Sequence, residues 1–308
     1  MQSKYDIITV LGPTASGKTN FAAALASTLD AEIISADSRQ VYRRMDIGTG
    51  KDLEDYIVDG KNIPYHLIDI VEPGTKYDLF RYQQDFLEAY NEIKQRGKTV
   101  IVCGGSGLYL ESIVKAYNLC PVPQNHQLRE ELKDTTLSEL IEILKSYPVK
   151  LHNTTDVDTA TRAIRAIEIA DYEQNHPVAD RHFPVLNSLT IGIDISREIR
   201  RQRITQRLQK RIEDGMLKEV QALLDEGITS EQLIYYGLEY KFLTEHLIGL
   251  TTYKEMLHNL EIAIHQFAKR QMTWFRGMER RGTKIHWIDG MMPNDKKIEH
   301  VLSLLKNS

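Results

Sequence analysis

Short apolar runs alternate with longer amphipathic stretches from the start of the chain. YDIITVL (5–11) reads as a buried strand, and the alanine-rich run from Thr19 to about Leu29 reads as a helix. AEIISAD (31–37) is a second strand, Leu79 to Gln95 a helix stopped by Gly97, and TVIVCGG (99–105) a third strand. This βαβ rhythm predicts a parallel sheet covered on both faces. The ligand site of such a sheet lies beyond the carboxyl ends of its strands, so the ends of AEIISAD and TVIVCGG should lie near the turn that follows YDIITVL.

From about Ala116 to Leu186 the pattern changes to prolines and short amphipathic helices, LSELIEILKSY and TATRAIRAIEIADYEQ, with no convincing strand. LTIGIDIS (189–196) then resumes the sheet. The expected organisation is an α/β core of residues 1–115 and 187–308, interrupted by a helical insertion, 116–186, that can move relative to the core. A helix pair is expected from Arg197 to Glu226, another helix near Thr252 to Met278, and a last strand-helix unit in KIHWI and KKIEHVLSLLK. No internal repeat and no low-complexity segment interrupts the pattern.

Composition narrows the class. A length of 308 residues suits one large or two modest domains, and 42% hydrophobic with 27% charged residues is ordinary for a globular chain. No apolar run approaches the ~20 residues of a membrane span, and MQSKYDIITV has no signal-peptide pattern. A cytoplasmic protein with no membrane association is therefore expected. A monomer is the expected oligomeric state, though no feature of the sequence decides it. A net charge of −4 argues against indiscriminate coating of nucleic acid but leaves room for a local basic patch. Cys103 and Cys120 fit neither a disulfide framework nor a zinc spacing, so both read as structural or incidental.

The chemistry begins at LGPTASGKT. Gly12, Gly17, Lys18 and Thr19 stand at the spacing G-x-x-x-x-G-K-[ST], between a strand and a helix. Such a loop, here Gly12, Pro13, Thr14, Ala15, Ser16, Gly17, Lys18 and Thr19, turns backbone N–H groups toward an anion at a helix N-terminus. Lys18 adds a charge, and Thr19 can offer its hydroxyl to Mg2+. The fold class that follows is a P-loop NTPase-like parallel sheet with an inserted small helical domain. The loop alone leaves open whether it binds a nucleoside triphosphate or another polyphosphate.

Asp37 leaves the carboxyl end of AEIISAD beside this loop. It can hold Mg2+ through water, act as a general base, or cap a turn. In RRQRITQRLQKRI, Arg203, Arg207 and Arg211 recur every fourth residue beside a stripe of Ile204, Leu208 and Ile212. Periodicity alone makes that an amphipathic helix with a solvated basic face.

GPTASGKT, ISADSRQVYRRMDIGTGK, CGGSGLYL, R-x-x-R-A-I-E-I at Arg162 to Ile169, ITQRLQKRIEDGM and AKRQMTWFRG occur in an order and spacing that resemble the tRNA dimethylallyltransferases. The resemblance spans roughly residues 7 to 288. It implies transfer of a dimethylallyl group from dimethylallyl diphosphate to N6 of the adenosine 3′ of the anticodon, with Mg2+. The loop would then hold a pyrophosphate leaving group. The resemblance implies Asp37 as base, Arg207 as a pyrophosphate ligand, and Ser106, where relatives usually carry Thr, as the hydroxyl that fixes the adenine amine beside Asp37. For the anticodon stem-loop of tRNA it implies Asp37, Ser38, Arg39, Gln40 and Ser106 near the target base. Further tRNA contacts would come from Arg129, from Thr161, Arg162, Ala163, Ile164 and Arg165, and from Lys269, Arg270, Gln271, Met272, Thr273, Trp274, Phe275 and Arg276. Lys269, Arg270 and Arg276 would meet phosphates, while at least one of Trp274 and Phe275 is expected to be core, on the stripe with Leu260, Ile264 and Phe267. The helical insertion is a candidate lid against water.

One segment departs from the pattern. Many relatives carry G-Y-R-Q where this chain has Gly237-Leu238-Glu239-Tyr240, so an arginine is absent and an acid present, which puts a local tRNA contact in doubt. Other readings of the loop remain: a Mg2+/ATP-dependent small-molecule kinase, a prenyl transfer to free AMP or ADP, and an RNA-binding module with a vestigial loop.

Overall fold

The computed structural model describes residues 4–148, 157–176 and 182–306. Strand β1 (Ile7–Leu11) is buried along its whole length and runs into the phosphate loop, from which helix α1 (Lys18–Leu29) departs. The chain returns through β2 (Ala31–Ser35), also fully buried, then wanders through a short 3-10 turn (Leu53–Tyr56) and an antiparallel ribbon of β3 (Ile57–Val58) and β4 (Lys61–Asn62). A two-residue strand β5 (Tyr65–His66), α2 (Leu79–Gln95), β6 (Thr99–Gly104) and α3 (Gly107–Val114) follow. Helices α4 (His126–Leu132), α5 (Leu137–Lys145) and α6 (Ala160–Asn175) come next. The sheet resumes with β7 (Ser188–Asp194), after which come α7 (Arg197–Glu213), α8 (Met216–Asp225), α9 (Ser230–Tyr235), α10 (Leu238–Leu247) and the long α11 (Tyr253–Arg280). Strand β8 (Ile285–Asp289) and α12 (Asn294–Lys306) finish the chain.

Six strands form one parallel sheet in the order β5-β2-β6-β1-β7-β8. Its apolar strands bury against α1 and α12 through Ile8, Val10, Ile33, Ile101 and Ile191 on the sheet and Phe21, Leu25 and Val301 on the helices. Because β2, β6 and β1 are neighbours, their carboxyl ends share one edge of the sheet, and the residues after each of them, Asp37, Ser106 and the phosphate loop, converge.

The ladder between β2 and β6 continues past the strands, with Ala36 N–H donating to the Cys103 carbonyl at 2.8 Å and Ser106 N–H to the Ala36 carbonyl at 3.2 Å. Gly104 sits inside this approach, and a Cβ there would fall within van der Waals contact of the Ala36 carbonyl oxygen. A side chain is therefore excluded by backbone on the facing strand.

The chain divides into two compact units, Met1–Lys115 with Val185–Ser308, and Ala116–Pro184. The described part of the second unit contains α4, α5 and α6 and no strand; residues 149–156 and 177–181 lie outside the described residues. Its core is Leu140 and Leu144 of α5 against Ala163, Ile167 and Ala170 of α6. A capping box at Thr136 and Glu139 fixes the start of α5.

Gly104→Ala is expected to destabilise the protein by about 1–3 kcal/mol, because the neighbouring backbone must shift to admit the methyl group. Urea unfolding should show a lower midpoint at unchanged slope. An unchanged midpoint would mean that the strands do not approach this closely.

Candidate active site

Gly17 caps the N-terminus of α1 at φ 84°, a conformation that glycine adopts without a Cβ penalty, and offers no side-chain cap. The first N–H groups of α1 thus have neither an intrahelical partner nor a capping oxygen, which leaves them for an anion. Within the loop, the Ser16 N–H donates to the Pro13 carbonyl at 3.3 Å and the Thr14 N–H to Gln271 Oε1 at 2.8 Å. Burial holds the Lys18 ammonium below its ordinary value; Cys103 and the Asp37 carboxylate oppose the shift, and Arg207 adds to it. Cys103 is buried behind the loop, and burial pushes its thiol up to about 12, so it stays protonated and is no nucleophile.

The facing wall is built by Asp37 to Gln40 and Ser106. Asp37 Oδ1 accepts the Arg39 N–H at 3.0 Å, an Asx turn that fixes the carboxylate. Ser106 Oγ accepts the Ser38 N–H at 3.0 Å and lies 3.3 Å from Ser38 Oγ. This hydroxyl therefore ties the ends of β2 and β6 together across 68 residues of sequence. Gln40 donates to the Gly50 carbonyl at 3.1 Å, which anchors the segment that closes the floor.

The arginine stripe of α7 does not face open solvent. Arg203 reaches the Ala15 carbonyl of the loop, and Arg207 and Arg211 both pair with Asp52. Burial and the neighbouring Arg211 lower the Arg207 guanidinium from its ordinary value, and Asp52 opposes them. Glu239, at the start of α10, lines the same cavity; burial raises its carboxyl, against its own N–H, Arg211 and Arg207. The departure after Gly237 therefore lies in the cavity, where a periodicity argument had no means to place it.

These walls enclose a cavity of about 420 Å³. Thr14, Lys18, Thr19 and Arg207 line it on the loop side, and Asp37, Gln40 and Ser106 on the other. Phe267, Arg270 and Trp274 of α11 also line it, with the Arg270 guanidinium 5.9 Å from the Phe267 ring. Among the described residues no three His, Cys, Asp or Glu side chains converge as a metal cage. The Thr19 hydroxyl, lining the cavity beside Lys18, is a hard oxygen that would suit Mg2+.

A family model described as IPP transferase matches residues 40–278. The chain belongs to this family. It is 62% identical to tRNA dimethylallyltransferase 2 of Phocaeicola vulgatus over 98% of both chains, and 63% identical to tRNA dimethylallyltransferase 2 of Bacteroides fragilis over the same shares. Its fold is similar to a crystal structure of the full-length tRNA isopentenylpyrophosphate transferase from Bacillus halodurans, at TM-score 0.71 and 30% identity over 99% of this chain and 96% of that one. A eukaryotic dimethylallyltransferase acting on tRNA shares the fold at TM-score 0.75 with 21% identity, over 98% of this chain and 79% of that one.

The α11 segment of this IPP transferase family member divides by depth. Lys269, Arg270, Thr273 and Arg276 are exposed, whereas Met272 and Phe275 are buried with Leu260, Ile264 and Ala268. The Met272 side chain is only 6% exposed, and Phe275 is the member of the Trp274 and Phe275 pair that lies fully in the core, as expected of at least one of them. Gln271 is buried, and its amide is spent on backbone. Phe267, placed by its stripe in the core, is instead 39% exposed at the cavity.

In the second unit, Arg129 makes a bidentate pair with Glu168 at 2.7 Å, and Arg165 pairs with the same carboxylate at 3.1 Å while donating to the Val122 carbonyl at 2.8 Å. Ala163 is core, with no exposed side chain, while Thr161 and Arg162 are exposed and Ile164 is half-buried. One anchor escaped the sequence entirely. Glu219 of α8 accepts the N–H groups of Asp46, Ile47 and Gly48 at 2.7–3.0 Å and the Tyr240 hydroxyl at 2.6 Å. It pins the loop that carries Thr49 and Gly50 to the cavity. An isolated Glu on an amphipathic helix gives no signal of such a role.

Burial alone would raise the Glu168 carboxyl, but Arg129, the Asn125 N–H and Arg165 hold it at about 2, against an ordinary value of 4.5. A depressed acid contributes stability above its unfolded pKa and loses it as pH falls through the folded one. Hydrogen exchange of α6 in the full chain, corrected for intrinsic rates, should stay protected down to about pH 5 and lose protection between 4.5 and 2. Glu168→Gln should weaken protection already at neutral pH; a variant protected like the parent contradicts this role.

Proposed function

We propose that this chain transfers the dimethylallyl group of dimethylallyl diphosphate to N6 of the adenosine 3′ of the anticodon in tRNA, releasing pyrophosphate. The supporting observation is that one cavity joins an open phosphate loop and an arginine to a carboxylate and a hydroxyl at the ends of neighbouring strands. The loop suits an anionic leaving group, and Asp37 with Ser106 suits an amine that must lose a proton.

The exocyclic amine of adenine is a poor nucleophile because its lone pair is delocalised into the ring. Asp37 accepts its proton as the N6–C1 bond forms and the C1–O bond to diphosphate breaks. The Asx turn occupies Oδ1, which leaves Oδ2 as the oxygen that takes the proton. The electron pair of the breaking bond goes to the diphosphate, where the α1 N–H groups, Lys18 and Arg207 are fixed in advance of the charge. The Thr19 hydroxyl would hold Mg2+, which would supply further neutralisation of the departing diphosphate. Ser106 orients the amine toward Asp37 with the hydroxyl that also holds the Ser38 N–H.

Exposed Lys269, Arg270 and Arg276 supply phosphate contacts, which give salt-dependent affinity, while the exposed face of Phe267 suits an unstacked base. The ATP-dependent kinase reading is not favoured, because the near-full-length relatives are named tRNA dimethylallyltransferases. No helix among the described residues is long and apolar enough to cross a membrane.

Asp37→Ala should lower turnover about 10²–10⁴-fold while tRNA affinity changes little. Collapse of tRNA affinity with turnover preserved at saturation would remove Asp37 from the role of base. Arg207→Ala should cost about 10²–10³-fold in turnover, as loss of one fixed donor to developing charge does. Single-turnover transfer of labelled prenyl group to tRNA reads both effects, and an Arg207→Ala rate within a factor of two of the parent contradicts the role given to Arg207.

A further inference from the structure

We propose that Gln271 is a positioning residue that sets the spacing between the leaving-group loop and the acceptor wall, and that it is not a contact to RNA. The inference rests on the transferase reading and deepens it. Gln271 sits on α11 between the exposed cations Lys269, Arg270 and Arg276, yet it is only 7% exposed. Its two amide atoms are used in opposite directions. Oε1 accepts the Thr14 N–H at 2.8 Å, and Nε2 donates to the Gly105 carbonyl at 2.9 Å. Since a backbone N–H can only donate and a carbonyl can only accept, the orientation of the amide is fixed by its partners.

The two partners belong to the two halves of the reaction. Thr14 lies within the phosphate loop; Gly105 precedes Ser106, whose N–H and hydroxyl bind Ala36 and Ser38 on either side of Asp37. A continuous path of hydrogen bonds therefore runs from the loop through one side-chain amide to the turn that holds the base. Gly105 leaves room for it: a Cβ there would stand 2.5 Å from Gln271 Nε2. Glutamate could keep the Thr14 bond but would set a carboxylate oxygen against the Gly105 carbonyl. Methionine would fill the space and make neither bond. Transfer requires the reacting atoms to be held near contact, so small errors in this spacing reduce turnover more than binding.

The test compares Gln271→Met and Gln271→Glu with the parent, using purified full-length protein, labelled dimethylallyl diphosphate, Mg2+ and tRNA. Expected for Gln271→Met is a 10- to 100-fold lower kcat, with the tRNA Kd and its salt dependence within about twofold of the parent. Gln271→Glu should be impaired at least as much. A raised tRNA Kd with kcat intact at saturation would make Gln271 an RNA contact and overturn the proposal. A lowered melting temperature with kcat of the folded protein intact would make it merely structural, which also overturns it. If Gln271→Met does not fold, Gln271→Glu, which keeps size and one bond, decides on the same readouts. Failure of the parent itself to label tRNA would count against the transferase reading, whereas a parent that labels tRNA and variants that match it would count against this inference alone.

Discussion

The free N–H groups and positive dipole end at an uncapped α-helix N-terminus favour negative charge, and the open end of α1 is the feature around which the site is arranged. Gly17 provides the turn without a cap, and β1 delivers the loop at the middle of a parallel sheet. With β6 and β2 on one side, the adjacent strand ends bring Ser106 and Asp37 toward the loop, and Gln271 bridges the two through Thr14 and Gly105.

The cations are kept ready by counter-charges. Asp52 pairs with Arg207 and Arg211, Asp37 lies close enough to Lys18 to oppose the effect of burial on its ammonium, and Glu239 adds an acid beside both arginines. A buried guanidinium without a partner would be expensive; paired, it can be held in place before the diphosphate arrives. Glu219 does for backbone what Asp52 does for arginine, collecting three N–H groups so that the loop after Met45 keeps its shape at the cavity floor.

Much of the core was legible in the sequence because buried parallel strands are continuous apolar runs; α2 begins and ends at the expected Leu79 and Gln95. The two-residue β5 and the helices α3, α9 and α10 were not, being short and lacking periodicity enough to stand out. At the site, the loop and Asp37 could be placed by strand ends, since topology alone brings strand ends together. Arg207 could not be placed that way: the stripe Arg203, Arg207, Arg211 reads as solvated until α7 is seen lying against the loop. Gln271 misled for the opposite reason. Its neighbours are exposed cations, and only the long-range bonds to Thr14 and Gly105 show that it points inward.

The claim that one cavity joins a diphosphate to an acceptor adenosine is tested most directly by incubating the protein with radiolabelled dimethylallyl diphosphate, Mg2+ and unmodified tRNA, and counting label in RNA. Label should appear in a tRNA whose anticodon is followed by adenosine and vanish when that adenosine is replaced by guanosine. Acceptor-dependent ATP hydrolysis without any label in RNA would contradict the account and return the loop to a nucleotide.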